Sequence, residues 1–200
     1  MFDVAFTLDM QQQNDLVALC REVIRQAPLF QKTMPNGSTF NYLCTSAGDF
    51  GWLSDRKGYR YEKTHPTTKQ AFPPMPDLIH EIAVRAAEAC GEPLVPQSAL
   101  INWYTADSKL GLHVDKTENC DAPVISISLG ADCVFVKGGK KCADAKETVI
   151  LYSGDVFVMS DEHRYYHHGV KKILPDTMPV DLDMRDFGRL NITVRQVNPV

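Results

Sequence analysis

From Leu100 onward the chain alternates at strand period, whereas helical periodicity is confined to the residues before Gly91. Ile125, Ile127 and Leu129 alternate with Ser126 and Ser128, the two-residue period of a half-buried strand. Val134-Phe135-Val136 is a short strand that runs into Gly138-Gly139. Val149-Ile150-Leu151-Tyr152 and Val156-Phe157-Val158-Met159 flank a Ser153-Gly154-Asp155 turn. Leu190, Ile192 and Val194 alternate with Asn191, Thr193 and Arg195. Many short strands with glycine-rich turns close into a sandwich or barrel. With helices early and strands late, the expected class is α+β: a β-sandwich with helices packed on one sheet.

The first helix is marked by Leu16, Leu19, Cys20, Val23, Ile24 and Ala27, one apolar stripe stopped by Pro28. Asn14 or Asp15 could cap its start. A second helix is expected from about Asp77 to Cys90. Its face is Ile79, Ile82, Ala83, Ala86 and Cys90, with Asp77 in the N-cap region and Gly91 just past the end. Between them, from about Met34 to Pro76, lie turns and many aromatics, among them Phe40, Tyr42, Trp52, Tyr59 and Tyr61. That segment reads as short strands or loops lying over something. No internal repeat or low-complexity stretch is visible.

Composition bounds the class. The 200 residues are 44% hydrophobic and 23% charged, which predicts one globular domain with a core that needs no metal or disulfide staple. No run approaches the roughly 18 apolar residues of a membrane helix. Met1-Phe2-Asp3-Val4-Ala5-Phe6 lacks the basic and apolar regions of a secretory signal, so a cytoplasmic protein is expected. Cys20, Cys44, Cys90, Cys120, Cys133 and Cys142 are scattered, with no C-x-x-C pair, and read as reduced thiols. The net charge of −4 and pI of about 5.8 do not favour bulk nucleic-acid binding. A local basic patch can still hold a phosphate backbone.

His113-Val114-Asp115 carries the first chemical signal. On a strand, residues two apart share a face, so an imidazole and a carboxylate would converge. Tyr165-Tyr166-His167-His168-Gly169 offers a third ligand downstream. Two histidines and one carboxylate on one face of a metal leave other positions open, as in non-haem Fe(II) oxygenases. An isolated H-x-D is common, and His167 and His163 are rivals to His168.

Arg189, Asn191 and Arg195 share the opposite face from Leu190, Ile192 and Val194. The apolar face would pack into the core of the sandwich. Two fixed guanidinium groups suit a ligand with two carboxylates, such as 2-oxoglutarate. An exposed edge strand with solvated arginines is the other reading. Asn102 and Tyr104 also share a face and could add hydrogen bonds to the same ligand, or could be a turn amide and a core phenol.

Taken in order, these residues resemble one family. Asn102-x-Tyr104, Leu110-Gly111-Leu112-His113-Val114-Asp115-Lys116, Ser126-Ile127-Ser128-Leu129-Gly130, His168-Gly169 and Arg189-x-Asn191-x-x-x-Arg195 resemble the AlkB family of Fe(II)- and 2-oxoglutarate-dependent dioxygenases. Gly51-Trp52 and Gly58-Tyr59-Arg60-Tyr61 resemble the nucleotide-recognition lid of its bacterial DNA-repair members. The resemblance implies a double-stranded β-helix, or jelly roll, over about 97–198, with an N-terminal lid over about 34–76. It implies Fe(II) on His113, Asp115 and His168. It implies 2-oxoglutarate held by Asn102, Tyr104, Arg189 and Arg195 with Asn191 close by, and O₂ as the second co-substrate.

The implied reaction is oxidative dealkylation of methylated bases, such as 1-methyladenine and 3-methylcytosine, releasing formaldehyde. The implied partner is alkylated DNA, preferably single-stranded, and also RNA. Trp52, Tyr59, Arg60, Tyr61 and Thr117 are the candidate substrate contacts. Arg56, Lys57, Arg60, Lys63 and Lys69 surround the aromatics with positive charge, the combination that single-strand binding uses. A flipped-out base is what would reach the metal. The chain departs from the repair-type pattern at two places. Thr117 stands where such members carry an acidic residue near the base. Lys140-Lys141-Cys142 follows Gly138-Gly139 where they place an arginine.

Two other functions compete. One is a related dioxygenase acting on modified RNA, protein or a small molecule. The other is a non-catalytic binding module on the same scaffold. A monomer is expected, because one domain supplies the whole site.

Overall fold

The computed structural model describes residues 1–184 and 188–200. Helix α1 spans Met10–Gln26 and helix α2 spans Asp77–Ala89. The helix expected at Leu16 begins earlier than the apolar stripe. Asp9 is its N-cap, and Asp9 and Gln12 form a reciprocal capping box, so neither Asn14 nor Asp15 caps it. Satisfying the first-turn N–H groups fixes the start, independently of where burial begins. In α2 the N-cap is Pro76, Asp77 is the first helical residue, and Gly91 takes φ of +76° just past the end.

Seven antiparallel strands make the major sheet, in the order β1-β11-β8-β13-β6-β3-β2. They are β1 Phe2–Thr7, β2 Phe30–Thr33, β3 Thr39–Gly48, β6 Ser98–Tyr104, β8 Val124–Gly130, β11 Asp155–Met159 and β13 Arg189–Arg195. The minor sheet runs β10-β9-β12-β7. Its strands are β7 Leu110–His113, β9 Asp132–Lys137, β10 Glu147–Leu151 and β12 His168–Leu174. β4 Gly51–Asp55 and β5 Gly58–Glu62 form a separate hairpin. The architecture is the two-sheet jelly roll of this fold class, with both helices on the outer face of the major sheet.

Two features go beyond the sequence reading. The Ser153-Gly154-Asp155 turn does not close a hairpin. β10 pairs with β9 and β11 with β8 and β1, so the turn carries the chain from one sheet to the other. The segment 34–76 also supplies β3, a ten-residue strand inside the major sheet beside β6.

The core is split by the major sheet. Leu16, Val17, Cys20 and Val23 of α1 and Ile79, Ile82, Ala83 and Ala86 of α2 pack on Ile101, Ile125, Ile127, Val156, Leu190, Ile192 and Val194. The apolar face of β13 therefore meets the helices, not the second sheet as expected. Between the sheets lie Phe40, Tyr42, Leu100, Tyr104, Phe135, Leu151, Phe157, Met159 and Val170. This division leaves the polar face of β13 turned into the sandwich, where a ligand site can form.

His65 anchors the chain just after the hairpin. It is buried, its Nε2 lies 2.8 Å from the Pro28 carbonyl, and its Nδ1 accepts from the Thr67 and Thr68 N–H groups. Its ring packs edge-on against Phe30 and Phe72. Phe72 in turn fills the space where a side chain on Gly51 would go, 2.3 Å from the ideal Cβ. This bonding fits only the neutral ring, and burial holds the imidazole below its usual value. Below about pH 6.5 the unfolded chain takes a proton that the folded one refuses, so stability falls with pH from there downward. Melting temperatures across acid pH should show this slope, and His65→Asn should flatten it. Equal slopes in both proteins would remove His65 as its source.

Candidate metal and co-substrate site

β7 and β12 are neighbours in the minor sheet, and their register sets His113 opposite His168. The two rings lie 4.4 Å apart at 56°. Asp115 follows β7 by two residues, beyond the strand, and its Oδ1 is 3.5 Å from His113 Nε2. One ligand atom from each of the three lies within 4.8 Å of the others. Each histidine also has its Nδ1 engaged: His113 with the Gly111 carbonyl at 2.9 Å and His168 with the Tyr166 carbonyl at 3.0 Å. Such a contact fixes ring and tautomer and leaves Nε2 for a metal.

The electrostatics prepare these groups as ligands. Burial, with His113 beside it, pushes His168 down to about 4, so it is neutral at pH 7. Burial opposes the charge on Asp115, but Arg195 and His113 outweigh it and hold the carboxyl well below the usual range. Burial also opposes protonation of His113, and there the Asp115 carboxylate wins and raises the imidazole. A divalent cation would displace that proton.

The rival histidines fall elsewhere. His167 engages the Gly139 carbonyl through Nδ1, because neighbours on an extended chain point oppositely. His163 stacks on Phe2. Gly169 lets β12 pass close to β7, since an ideal Cβ there would sit 2.6 Å from the Leu110 carbonyl oxygen.

The second ligand set comes from β6 and β13. Their register places Tyr104 opposite Arg189 and Asn102 opposite Asn191. β13 lies between β8 and β6, so Arg189 is 1% and Arg195 7% exposed, not the solvated arginines of an edge. Arg189 donates to the Ala131 carbonyl and to Ser128 Oγ, which leaves its buried Nε without a partner. Arg195 grips Asp115 Oδ2 through Nε and Nη2 at 3.2 and 2.6 Å, and its buried Nη1 has no partner. Asn102 Oδ1 is likewise buried and unmatched. Asn191 spends its amide on Ser126, the Ile127 carbonyl and Thr193.

Metal triad and arginines line one cavity of about 410 Å³, a usual size for a small-molecule site. Trp52 and Tyr59 of the hairpin line it too, as does Thr117. Trp52 and Tyr59 stack with centroids 5.5 Å apart and 12° between planes. Trp52 Nε1 donates to Thr117 Oγ1 at 3.3 Å.

The sequence model of the 2OG-Fe(II) oxygenase superfamily matches residues 4–195. The chain is 37% identical over 185 residues to "Alpha-ketoglutarate-dependent dioxygenase AlkB" of Escherichia coli (strain K12), covering 92% of this chain and 84% of that one. It belongs to the AlkB family of 2OG-Fe(II) oxygenases.

A Caulobacter vibrioides AlkB homolog (strain NA1000 / CB15N) is 35% identical over 191 residues, 94% of this chain and 84% of that one. The solved structure of OsALKBH1 superposes with a TM-score of 0.85 at 28% identity, over 97% and 95% of the two chains. This AlkB-family chain is thus an alpha-ketoglutarate-dependent dioxygenase that uses Fe(II), 2-oxoglutarate and O₂. The residues present fit those groups. The triad offers two neutral-capable imidazoles and one carboxylate, the set non-haem iron takes. The unmatched donors of Arg189 and Arg195 suit a dicarboxylate.

Three other side chains complete the site. Arg164, 1% exposed, donates to the Ala122 and Asp115 carbonyls and to Glu118. Glu118 also binds Tyr61 Oη and lies 3.4 Å from Arg195 Nε. Lys32 is 2% exposed with its Nζ 4.3 Å from the Trp52 ring centroid. None carried a periodicity signal, since a buried charge is set by partners distant in sequence. Arg60 does not project free charge, because Asp55 and Glu62 bind it. Arg56, Lys57, Lys63 and Lys69 are exposed. Among the described residues, no helix is long and apolar enough to cross a membrane.

Proposed function

We propose that this dioxygenase removes alkyl groups from nucleobases, in single-stranded DNA by preference and also in RNA. The stacked Trp52–Tyr59 pair lining the same cavity as the His113, Asp115, His168 triad carries the reading. Flat aromatic faces within one cavity of a metal suit a flat substrate. Relatives support it: "DNA N(6)-methyladenine demethylase ALKBH1D" of Arabidopsis thaliana is 29% identical over 205 residues, 92% of this chain and 46% of that one.

In this reading the segment 34–76 bears the lid, and its working part is the β4–β5 hairpin. Residues 97–198 form the catalytic core. His113, Asp115 and His168 hold the iron. Arg189, Arg195, Asn102 and Tyr104 hold 2-oxoglutarate, with Asn191 fixing the strand face beside them. Iron, 2-oxoglutarate and O₂ supply the hydroxylation, and the carbon leaves as formaldehyde. The protein's part is to bind, orient and shield. Trp52 supports the base, and Tyr59, half exposed at 52%, swings aside to admit it. Thr117 meets the base edge. Tyr61 ties the hairpin to Glu118, and Arg60 stiffens the hairpin through Asp55 and Glu62. Exposed Lys57 and Lys63 lie on the path of the phosphate backbone. The protein acts as a monomer in the cytoplasm.

The direct test is an oligonucleotide carrying one methylated adenine, incubated with Fe(II), 2-oxoglutarate and ascorbate and read by mass spectrometry. Loss of one methyl, dependent on 2-oxoglutarate, is expected. Continued conversion of 2-oxoglutarate to succinate with the oligonucleotide untouched would send the search to protein or small-molecule substrates. Trp52→Ala should weaken oligonucleotide binding about tenfold, the worth of one stacked base, while Fe(II) still titrates to one site. Unchanged binding would remove the hairpin from the substrate path.

A further inference from the structure

The charges around the aromatic end of the cavity bear on which alkylated bases it accepts. Each carboxylate near that end, among the described residues, is already committed. Asp115 is held by Arg195 at 2.6 Å. Glu118, its side chain 3% exposed, is held by Arg164 at 2.9 Å, by Tyr61 and by Arg195. Asp55 and Glu62 of the hairpin are both bound by Arg60. The group that the loop after β7 turns toward Trp52 is the hydroxyl of Thr117, which carries no charge.

The opposite sign is present. Lys32 Nζ is buried, 4.3 Å from the Trp52 ring centroid and beside the Cys44 thiol, with no carboxylate against it among the described residues. Protonated, it adds positive charge behind the stacking ring; unprotonated, it adds none, and in neither state does it supply a negative one. Lys116 lines the same cavity and is exposed. A cation taken out of water needs a counter-charge close by, and an unbalanced cation beside it is repelled.

From this we infer that the enzyme prefers alkylated bases that are electrically neutral to those that carry a positive charge, with Thr117 as the residue that sets the preference. The inference rests on the nucleobase reading above. It separates two products of methylation on one base. Adenine methylated on its ring nitrogen N1 is a cation at neutral pH, whereas adenine methylated on its exocyclic N6 is neutral. Both have one methyl to lose, so their comparison isolates charge and methyl position from size.

The experiment uses two single-stranded DNA oligonucleotides of one sequence, carrying 1-methyladenine or N6-methyladenine. Affinity for the enzyme loaded with Fe(II) and 2-oxoglutarate is read by fluorescence anisotropy with oxygen excluded, and kcat/KM by mass spectrometry in air. The wild-type protein should bind the neutral lesion more tightly. Thr117→Asp should raise the cationic-to-neutral ratio about tenfold in both readouts, the size of one charge pair a few ångströms apart in a partly screened site. Thr117→Asn, of similar shape and no charge, should leave that ratio where it is in the wild type. Tighter binding of the cationic lesion by the wild type, or a ratio indifferent to Thr117→Asp, would overturn the inference while leaving dealkylation standing. Failure of both lesions to lose a methyl, with 2-oxoglutarate still consumed, would overturn the nucleobase reading and this inference with it.

Discussion

Asp115→Ala should yield a protein that retains no Fe(II) and converts no measurable 2-oxoglutarate. The substitution removes two things at once. It takes away the single carboxylate of the triad, leaving His113 and His168, whose rings alone make a weak site for a hard divalent ion. It also takes from Arg195, whose side chain is 8% exposed, the partner it holds through two nitrogens, and leaves it only Glu118 at 3.4 Å. Breaking a buried ion pair by removing one partner costs about 3–5 kcal/mol. In a chain of this length that is a fall in melting temperature on the order of 10 °C for the metal-free protein. Asp115→Asn separates the two losses. Its side-chain oxygen can still accept from Arg195, so much of the fall is recovered, while metal retention stays lost. Metal titration and thermal melts of the metal-free proteins measure the two effects independently. A metal-free Asp115→Ala protein that melts with the wild type would show that Arg195 does not depend on this partner.

How much of this was legible beforehand depended on whether the signal was local. The strand Arg189–Arg195 was readable because its two faces differ residue by residue. What the pattern could not say was which layer each face meets. Leu190, Ile192 and Val194 pack on α1 and α2 because the helices cover that side of the major sheet, and sheet order is not written in any one strand. The His113-x-Asp115 pair was readable as a spacing, although Asp115 lies past the end of β7 and owes its position to Arg195 rather than to strand geometry. The resemblance singles out His168-Gly169 over His167, and the register β7–β12 places His168 against His113.

The start of α1 was misplaced for a physical reason. The apolar stripe marks where a helix is buried, whereas Asp9 and Gln12 mark where its N–H groups are satisfied. β1 escaped notice because its partner in the sheet, β11, lies at the far end of the chain, and β3 was legible only as one of several short strands because its length is set by pairing with β6. Glu118, Arg164 and Lys32 were invisible as site residues for the same reason: a charge with a distant partner looks like any surface charge.

Arg189 is the residue whose loss should most weaken 2-oxoglutarate binding without touching the metal. Arg195 is occupied by Asp115 on the metal side of the cavity. In the proposed reading, Arg189 is therefore the guanidinium left for the carboxylate remote from the metal. It is held rigidly, at 1% exposure, by the Ala131 carbonyl and Ser128 Oγ, so the fork is pre-aimed. Pre-organised, desolvated charge pairs of this kind are worth about 2–5 kcal/mol when one partner is truncated. Arg189→Met should accordingly raise the KM for 2-oxoglutarate by about a hundredfold or more, with Fe(II) retention unaffected. Arg189→Lys should recover little, because an ammonium cannot reproduce the planar fork that reaches both Ser128 and a carboxylate. The decisive control is a 2-oxo acid that lacks the remote carboxylate. It should bind the wild type weakly, and Arg189→Met should weaken it much less than it weakens 2-oxoglutarate. If both ligands lose affinity by the same factor, Arg189 shapes the cavity as a whole and does not grip that carboxylate.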